Sequence, residues 1–188
     1  MSAKKLITKQ MIIDCAVKII AKRGMDALNV RALAEELGCS TRPVYLSFSG
    51  MDELKESVKE RVTAIYRGYL QAEIDGGKYP EYKAYGMGYV EFARRERELF
   101  KYLFMRDRSG EGGSPDGGDM DGIYRALNLS TGLGGKRAER FHAECWIFVH
   151  GIATMIATGY LDLDTADVSQ LLSDAYMGLK ERYSDTEE

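Results

Sequence analysis

Arg42 and Tyr45 are the side chains whose types and spacing point most clearly to chemistry. They stand three residues apart, which places them on one face of a helix. A guanidinium can reach a guanine edge or a phosphate, and a phenol hydroxyl can reach a phosphate. The pair therefore predicts contact with nucleic acid. The other candidate contact residues nearby are Asn29, Arg31, Ser40, Thr41 and Leu46.

The segment before this pair predicts a short helix. Asn29 is a good N-cap, and Gly38 tolerates the left-handed conformation found just past a helix C-terminus. Between them, apolar residues recur at helical spacing. These residues are Val30, Leu33, Ala34 and Leu37.

A second short helix is predicted over residues 41–48, after a turn of Gly38, Cys39 and Ser40. Ser40 can cap it, and Pro43 falls in its first turn, where backbone N–H groups lack intrahelical partners. Residues 49–52 have the S-x-x-D form of a capping box that starts the next helix. Two short helices joined by a three-residue turn predict a helix-turn-helix, the alternative being an ordinary corner of a helical protein.

Charge is distributed unevenly along the chain. Residues 1–45 contain eight Lys and Arg against four acidic residues, a net charge of +4, while the whole chain carries −3, which leaves −7 for the rest. A basic head attracts phosphates locally, and an acidic body does not. This pattern favours a nucleic-acid contact confined to the N-terminal part.

The remaining sequence predicts an all-α protein. Thr8 can cap a first helix that ends at Arg23, which completes a three-helix head with the helix-turn-helix. Aromatic residues at helical spacing follow between positions 82 and 92, and the Gly- and Asp-rich residues 106–122 predict a mobile loop. The helices over 136–160 and 164–183 have apolar faces wider than one neighbour covers, which predicts a homodimer.

Several classes of protein are disfavoured. The sequence has two histidines, no Gly-rich phosphate loop and no G-x-S-x-G motif, so it predicts no enzyme and no cofactor. His142 and Cys145 have the spacing of two metal ligands, but no further Cys or His completes a site, so no metal is predicted. The uncharged run 145–161 is too short and polar to span a membrane, and three distant cysteines suit a reducing cytoplasm.

Residues 8–54 resemble the N-terminal domain of TetR-type (tetracycline-repressor-like) bacterial transcriptional regulators. The resemblance implies a DNA-binding domain over residues 1–48 and an effector-binding and dimerisation domain over 49–188. It also implies a ligand-responsive regulator, expected to be a repressor, that binds a palindromic operator on double-stranded DNA as a homodimer. The resemblance rests on Lys22-Arg23-Gly24, the run from Leu33 to Ser40, the run from Val44 to Phe48, and Asp52-Glu53-Leu54.

A small apolar effector is implied by the same resemblance. Aromatic residues at helical spacing are typical of plain core as well as of a ligand pocket, and both interpretations stay open. The candidate ligand-binding residues are Tyr85, Tyr89, Phe92, Phe104, Trp146 and His150.

Two positions depart from the family pattern. Met51 stands where family members usually carry a Lys that helps to hold a DNA phosphate, and Asn29 stands where they favour Thr. Loss of one cationic contact weakens general DNA affinity without changing base recognition, unless Lys4, Lys5 and Lys9 compensate. The alternative function is therefore a TetR-like module for ligand or protein interaction whose head binds DNA weakly or not at all.

Overall fold

The structure, a computed structural model, describes residues 6–107 and 119–184. Over these residues it is helical, with no strand, which confirms the predicted all-α class. One turn of 3-10 helix, Met25–Ala27, follows the first α-helix. The α-helices are α1 Lys9–Arg23, α2 Val30–Leu37, α3 Arg42–Ser47, α4 Met51–Asp75, α5 Glu81–Arg95, α6 Arg97–Phe104, α7 Met120–Thr131, α8 Gly135–Ala157 and α9 Thr165–Ser184.

The chain divides into two compact units. The first contains the described residues up to Ile65 together with Glu96–Asp107, and the second contains Tyr66–Arg95 and the described residues from Asp119 onward. Helix α4 contributes residues to both. The predicted boundary after residue 48 concerns function and stays a prediction.

The first unit is built around α1. Thr8 caps this helix by accepting a hydrogen bond from the Met11 N–H, and Gly24 ends it at a φ of 77°, as predicted. One face of α1 is buried against α2, α3 and α6. The buried side chains of this core include Ile12, Ala16, Ile20, Leu33, Val44, Phe48 and Phe100.

The second unit is organised by α5, which packs against α7, α8 and α9. Gly88 on α5 allows the backbone of α4 to approach closely, because a Cβ atom at this position would lie 2.8 Å from Leu70 Cα. Helix α9 is capped as predicted, since Asp164 accepts from the Asp167 N–H at 2.8 Å.

Helix α7 begins earlier than the sequence suggested. A loop was predicted over residues 106–122, but Asp119 accepts from the Gly122 N–H at 3.1 Å and α7 begins at Met120. The end of the predicted loop was therefore wrong, because the Asp in this Gly-rich stretch is a helix cap rather than a loop residue. Residues 108–118 of that loop lie outside the described residues.

In the two described ranges, no helix has the length and apolar character needed to cross a membrane.

Candidate nucleic-acid interface and ligand cavity

Helix α2 and the turn after it form as the sequence predicts. The Asn29 side-chain oxygen accepts from the backbone N–H groups of Arg31 and Ala32, at 3.1 and 3.0 Å. Gly38 adopts the left-handed conformation, and the Cys39 N–H donates to the Ala34 carbonyl at 2.9 Å. Both ends of α2 are therefore fixed by local bonds.

Helix α3 is shorter than predicted and has a different cap. It spans Arg42–Ser47, and its N-cap is Thr41 rather than Ser40. Thr41 already has helical dihedral angles, and its side chain makes no capping bond. The prediction that Ser40 caps this helix was wrong, because Pro43 lacks an N–H and the first turn has one donor fewer to satisfy.

The burial pattern fixes which face of α3 is available. Val44 and Phe48 are buried, as predicted for residues that face the core. Tyr45 and Leu46 are 65% and 76% exposed. Of the other candidate contact residues, Thr41 is partly buried, and the exposed ones are Asn29, Arg31, Ser40 and Arg42.

The two arginines on this surface differ from other basic residues of the first unit. Arg61 pairs with Asp14 at 3.1 Å, and Lys9 pairs with Glu53 at 2.7 Å. Arg31 and Arg42 form no side-chain hydrogen bond or ion pair with any described residue. Their guanidinium groups are exposed cations that can meet phosphates or base edges.

The start of α4 is held by Glu53. Its carboxylate accepts from the Ser49 N–H at 2.8 Å and from the Ser49 hydroxyl at 2.9 Å. Hydrogen bonds from Lys9 and then from Ser49 lower the pKa of Glu53 to about 2. The predicted S-x-x-D capping box was therefore wrong, because it named Asp52 as the acidic residue that accepts from Ser49. Helix α4 begins at Met51, so Glu53 rather than Asp52 is the residue that folds back.

The Lys9–Glu53 ion pair also affects whether Lys9 can replace the lysine that position 51 lacks. The Lys9 ammonium lies 4.7 Å from the centre of the Phe48 ring, in addition to its contact with Glu53. Lys9 is thus held by the protein itself, while Lys4 and Lys5 lie outside the described residues. Met51 is partly buried at the start of α4.

The larger of two adjoining cavities in the second unit has a volume of about 310 Å³. It lies among residues of α5, α8 and α9, and Ser130 of α7 contributes to its wall. Most of the wall is apolar, and two lysines, Lys83 and Lys180, line it. The principal apolar lining residues are Tyr82, Phe148, Val149, Leu172, Ala175, Tyr176 and Met177.

A smaller cavity of about 60 Å³ shares four lining residues with the larger one. Three of the candidate ligand residues, Tyr85, Tyr89 and Trp146, line it. The Tyr89 hydroxyl lies 2.8 Å from His150 Nδ1, and the rings of Trp146 and His150 stack with centroids 4.9 Å apart. The four shared residues are Tyr82, Gly86, Cys145 and Val149.

The three remaining candidates, His150, Phe92 and Phe104, do not line either cavity. Phe92 is fully buried and packs against Tyr66 and Tyr69. Phe104 belongs to the first unit, where its ring lies 5.2 Å from that of Phe100. Helical spacing alone could not separate these core aromatic residues from those at a cavity.

Sequence reasoning missed Lys83 and Lys180. Lys83 Nζ donates to the hydroxyls of Ser169 and Ser173, each at 2.7 Å, and Lys180 Nζ donates to the Ser130 carbonyl at 2.8 Å. The sequence did contain a sign of these two site residues, since each lysine interrupts a helical pattern of apolar residues. Their partners are 50 to 90 residues away in the sequence, so the pattern alone did not reveal a site.

The groups shared by the two cavities are neutral near pH 7. Burial raises the pKa of the Cys145 thiol to about 11. Burial also raises the pKa of the Tyr82 hydroxyl, which lies 3.0 Å from His142 Nδ1. Neither group adds negative charge to the cavity wall.

Two family models match the sequence. Residues 12–58 match the model for bacterial regulatory proteins of the tetR family, and residues 82–176 match the model for the tetracyclin repressor-like C-terminal domain. A search of curated proteins gives no significant match.

Solved structures share the fold over almost their whole length. A TetR-like transcriptional regulator from Rhodococcus sp. RHA1 has a TM-score of 0.69 at 20% identity, covering 93% of this chain and 98% of that one. A protein of unknown function from the same organism has a TM-score of 0.68 at 20% identity, covering 97% and 98%. A TetR family protein from Vibrio parahaemolyticus has a TM-score of 0.63 at 17% identity, covering 90% and 97%.

Proposed function

The chain belongs to the TetR family of bacterial transcriptional regulators, and we propose that it is a ligand-responsive repressor that binds a palindromic operator as a homodimer. In this proposal α3 enters the major groove of DNA, and the cavities of the second unit hold the effector. As a regulator of transcription it acts on DNA in the cytoplasm.

The observation that carries the proposal is the exposed face of α3. Burial of Val44 and Phe48 holds the helix in one rotation, which leaves Arg42, Tyr45 and Leu46 outward. A guanidinium, a phenol hydroxyl and an apolar side chain suit a base edge, a phosphate and a thymine methyl group respectively. This set supports recognition of DNA sequence as well as general attraction to phosphates.

Dimerisation is supported by apolar side chains that a single chain leaves exposed. Helix α8 exposes Ile147 to 64%, and Tyr160, just after α8, is 78% exposed. Large apolar residues exposed on two packed helices are typical of an interface. The others on α8 and α9 are Met155 and Leu171, whereas the exposed Phe148 and Met177 line the larger cavity.

Ligand response requires that the effector binds one state of the protein more tightly than the other. The larger cavity is within the range of small-molecule sites, which are mostly apolar with a few polar groups. Helix α4 has residues in both units, so it is our candidate for the element that couples the cavity to α3. An effector of equal affinity for both states leaves DNA binding unchanged.

The proposal is tested by fluorescence anisotropy with duplexes from the regions upstream of its own and neighbouring genes. We expect one duplex to bind about a thousandfold more tightly than a scrambled duplex of equal length. Arg42→Ala should weaken the specific complex by about 1–3 kcal/mol. Lys136→Ala, an exposed lysine of α8, is the matched control and should change nothing.

A second candidate function is favoured by the surroundings of Met51. The usual lysine is missing there, and Lys9 is held by Glu53 and Phe48. A head that binds DNA weakly, on a protein that works through ligand or protein contact, agrees with this arrangement. Equal and salt-sensitive affinity for all duplexes, unaffected by Arg42→Ala, would support this second function over the first.

A further inference from the structure

We propose that the larger cavity binds a small organic acid with an apolar body, and that Lys83 and Lys180 are the cations that select its carboxylate. This assignment rests on the proposed role of the cavity as the effector site. It replaces the general expectation of an apolar effector with a ligand of stated charge.

The charge of the lining is the first observation. Its residues include two lysines, Lys83 and Lys180, and no Asp or Glu. Within the described ranges neither ammonium pairs with a carboxylate; each donates to neutral oxygen atoms and lies near a tyrosine ring, Tyr79 for Lys83 and Tyr176 for Lys180. Both lysines are partly buried, so part of their hydration is lost without an opposite charge to replace it.

The hydrogen-bonding capacity of the lysines is the second observation. An ammonium group has three donors. Lys83 uses two of them, on Ser169 and Ser173, while Lys180 uses one, on the Ser130 carbonyl. Donors therefore remain at both lysines, and a carboxylate accepts them in charge-assisted hydrogen bonds.

The other lining residues of the larger cavity determine which body the ligand can have besides its carboxylate. The wall is formed by side chains such as Val149, Leu172 and Tyr176, which favour a hydrocarbon or aromatic body. A volume of about 310 Å³ holds roughly ten non-hydrogen atoms, at the ~30 Å³ that one water occupies in the liquid. The raised pKa values of Tyr82 and Cys145 keep negative charge out of this wall.

Octanoate meets these requirements and is a suitable probe. Octanamide has the same size without the charge, and octylamine has the opposite charge. Isothermal titration calorimetry of the full-length protein with these three compounds measures the preference directly. We expect octanoate to bind at least about tenfold more tightly than octanamide, and octylamine to bind more weakly than either.

Variants of the two lysines test whether Lys83 and Lys180 cause the preference for octanoate over octanamide. In Lys83→Met or in Lys180→Met, octanoate affinity should fall to that of octanamide, while octanamide affinity changes less than about twofold. Lys83→Arg and Lys180→Arg keep the charge and should keep the preference, and Lys136→Met, at an exposed lysine that does not line the cavity, should behave as wild type. Circular dichroism of each variant shows whether it is folded.

Four outcomes overturn the assignment: no preference for octanoate in the wild type, a preference unchanged in both Met variants, tighter binding of octanamide, or no binding heat from any of the three compounds. The DNA titration separates these from failure of the proposed function. If octanoate is selected by the lysines but no duplex binds specifically, the ligand assignment stands and the regulatory role fails. If one duplex binds specifically but the lysines do not select octanoate, the regulatory role stands and the ligand assignment fails.

Discussion

The ammonium group of Lys9, the first residue of α1, lies 2.7 Å from the carboxylate of Glu53 in the first turn of α4. The same carboxylate accepts two hydrogen bonds from Ser49. One acidic side chain therefore joins both ends of the segment that contains the helix-turn-helix.

Replacing Glu53 with Gln should lower the melting temperature at pH 7. The pKa of Glu53 in the folded protein, about 2, is below its ordinary value of 4.5. Its contribution to stability is thus present above pH 4.5 and is lost as the pH falls toward 2. We expect the difference between wild type and Glu53→Gln to shrink over this range in thermal unfolding followed by circular dichroism.

Glu56→Gln, an exposed carboxylate on the same helix, is the control for this experiment. It should leave the melting temperature close to that of wild type at each pH. A Glu53→Gln variant as stable as wild type at pH 7 would contradict the role of this carboxylate.

Tyr45→Phe should weaken DNA binding about three- to tenfold for all sequences alike, because one hydrogen bond to a phosphate is lost while no base contact changes. Tyr79→Phe is the matched control, since this tyrosine is partly exposed and lies between α4 and α5, outside the helices of the proposed interface. Anisotropy titrations with specific and scrambled duplexes give both affinities. A loss confined to the specific duplex would show that Tyr45 reads a base instead.

A charged residue on the exposed apolar face of α8 or α9 should convert the dimer to a monomer. Ile147→Glu and Leu171→Glu place a carboxylate where the proposed interface needs apolar contact. Leu129→Glu is the control, because Leu129 is 76% exposed but lies on α7. Sedimentation velocity at micromolar concentration distinguishes the species, and a wild-type monomer would rule out the dimer.

Gly88→Ala should destabilise the protein by about 1–3 kcal/mol, because the added Cβ would lie 2.8 Å from Leu70 Cα and the two helices would have to separate. Gly68→Ala on α4 has open space at its Cβ position. This control should stabilise by about 0.5–1 kcal/mol, since Gly is a poor helix former. Denaturant unfolding measures both, and equal stability of the two variants would argue against close packing at Gly88.

Features set by neighbouring residues were predictable from the sequence. Thr8 and Asn29 cap their helices, and Gly38 ends α2, because each acts on backbone groups within a few residues. The acid at the start of α4 was not predictable, because Lys9, 44 residues away, binds Glu53 rather than Asp52.

The candidate cavity was predictable only in part for the same reason. Helical spacing grouped Tyr85 and Tyr89 with Phe92 and Phe104, but packing partners distant in the sequence decide which ring reaches a cavity. Lys83 could not be recognised as a ligand-binding candidate from the sequence, because its partners Ser169 and Ser173 lie on α9, far away in the chain.

The central claim is that a homodimer recognises DNA through α3, and a footprint at single-base resolution on the upstream region tests it most directly. We expect two protected half-sites related by two-fold symmetry, with centres separated by about one helical turn of 10 base pairs or a multiple of it. Arg42→Ala should remove the protection, and Lys136→Ala should preserve it. No protected sequence, or a single unsymmetrical one that survives Arg42→Ala, would contradict the claim.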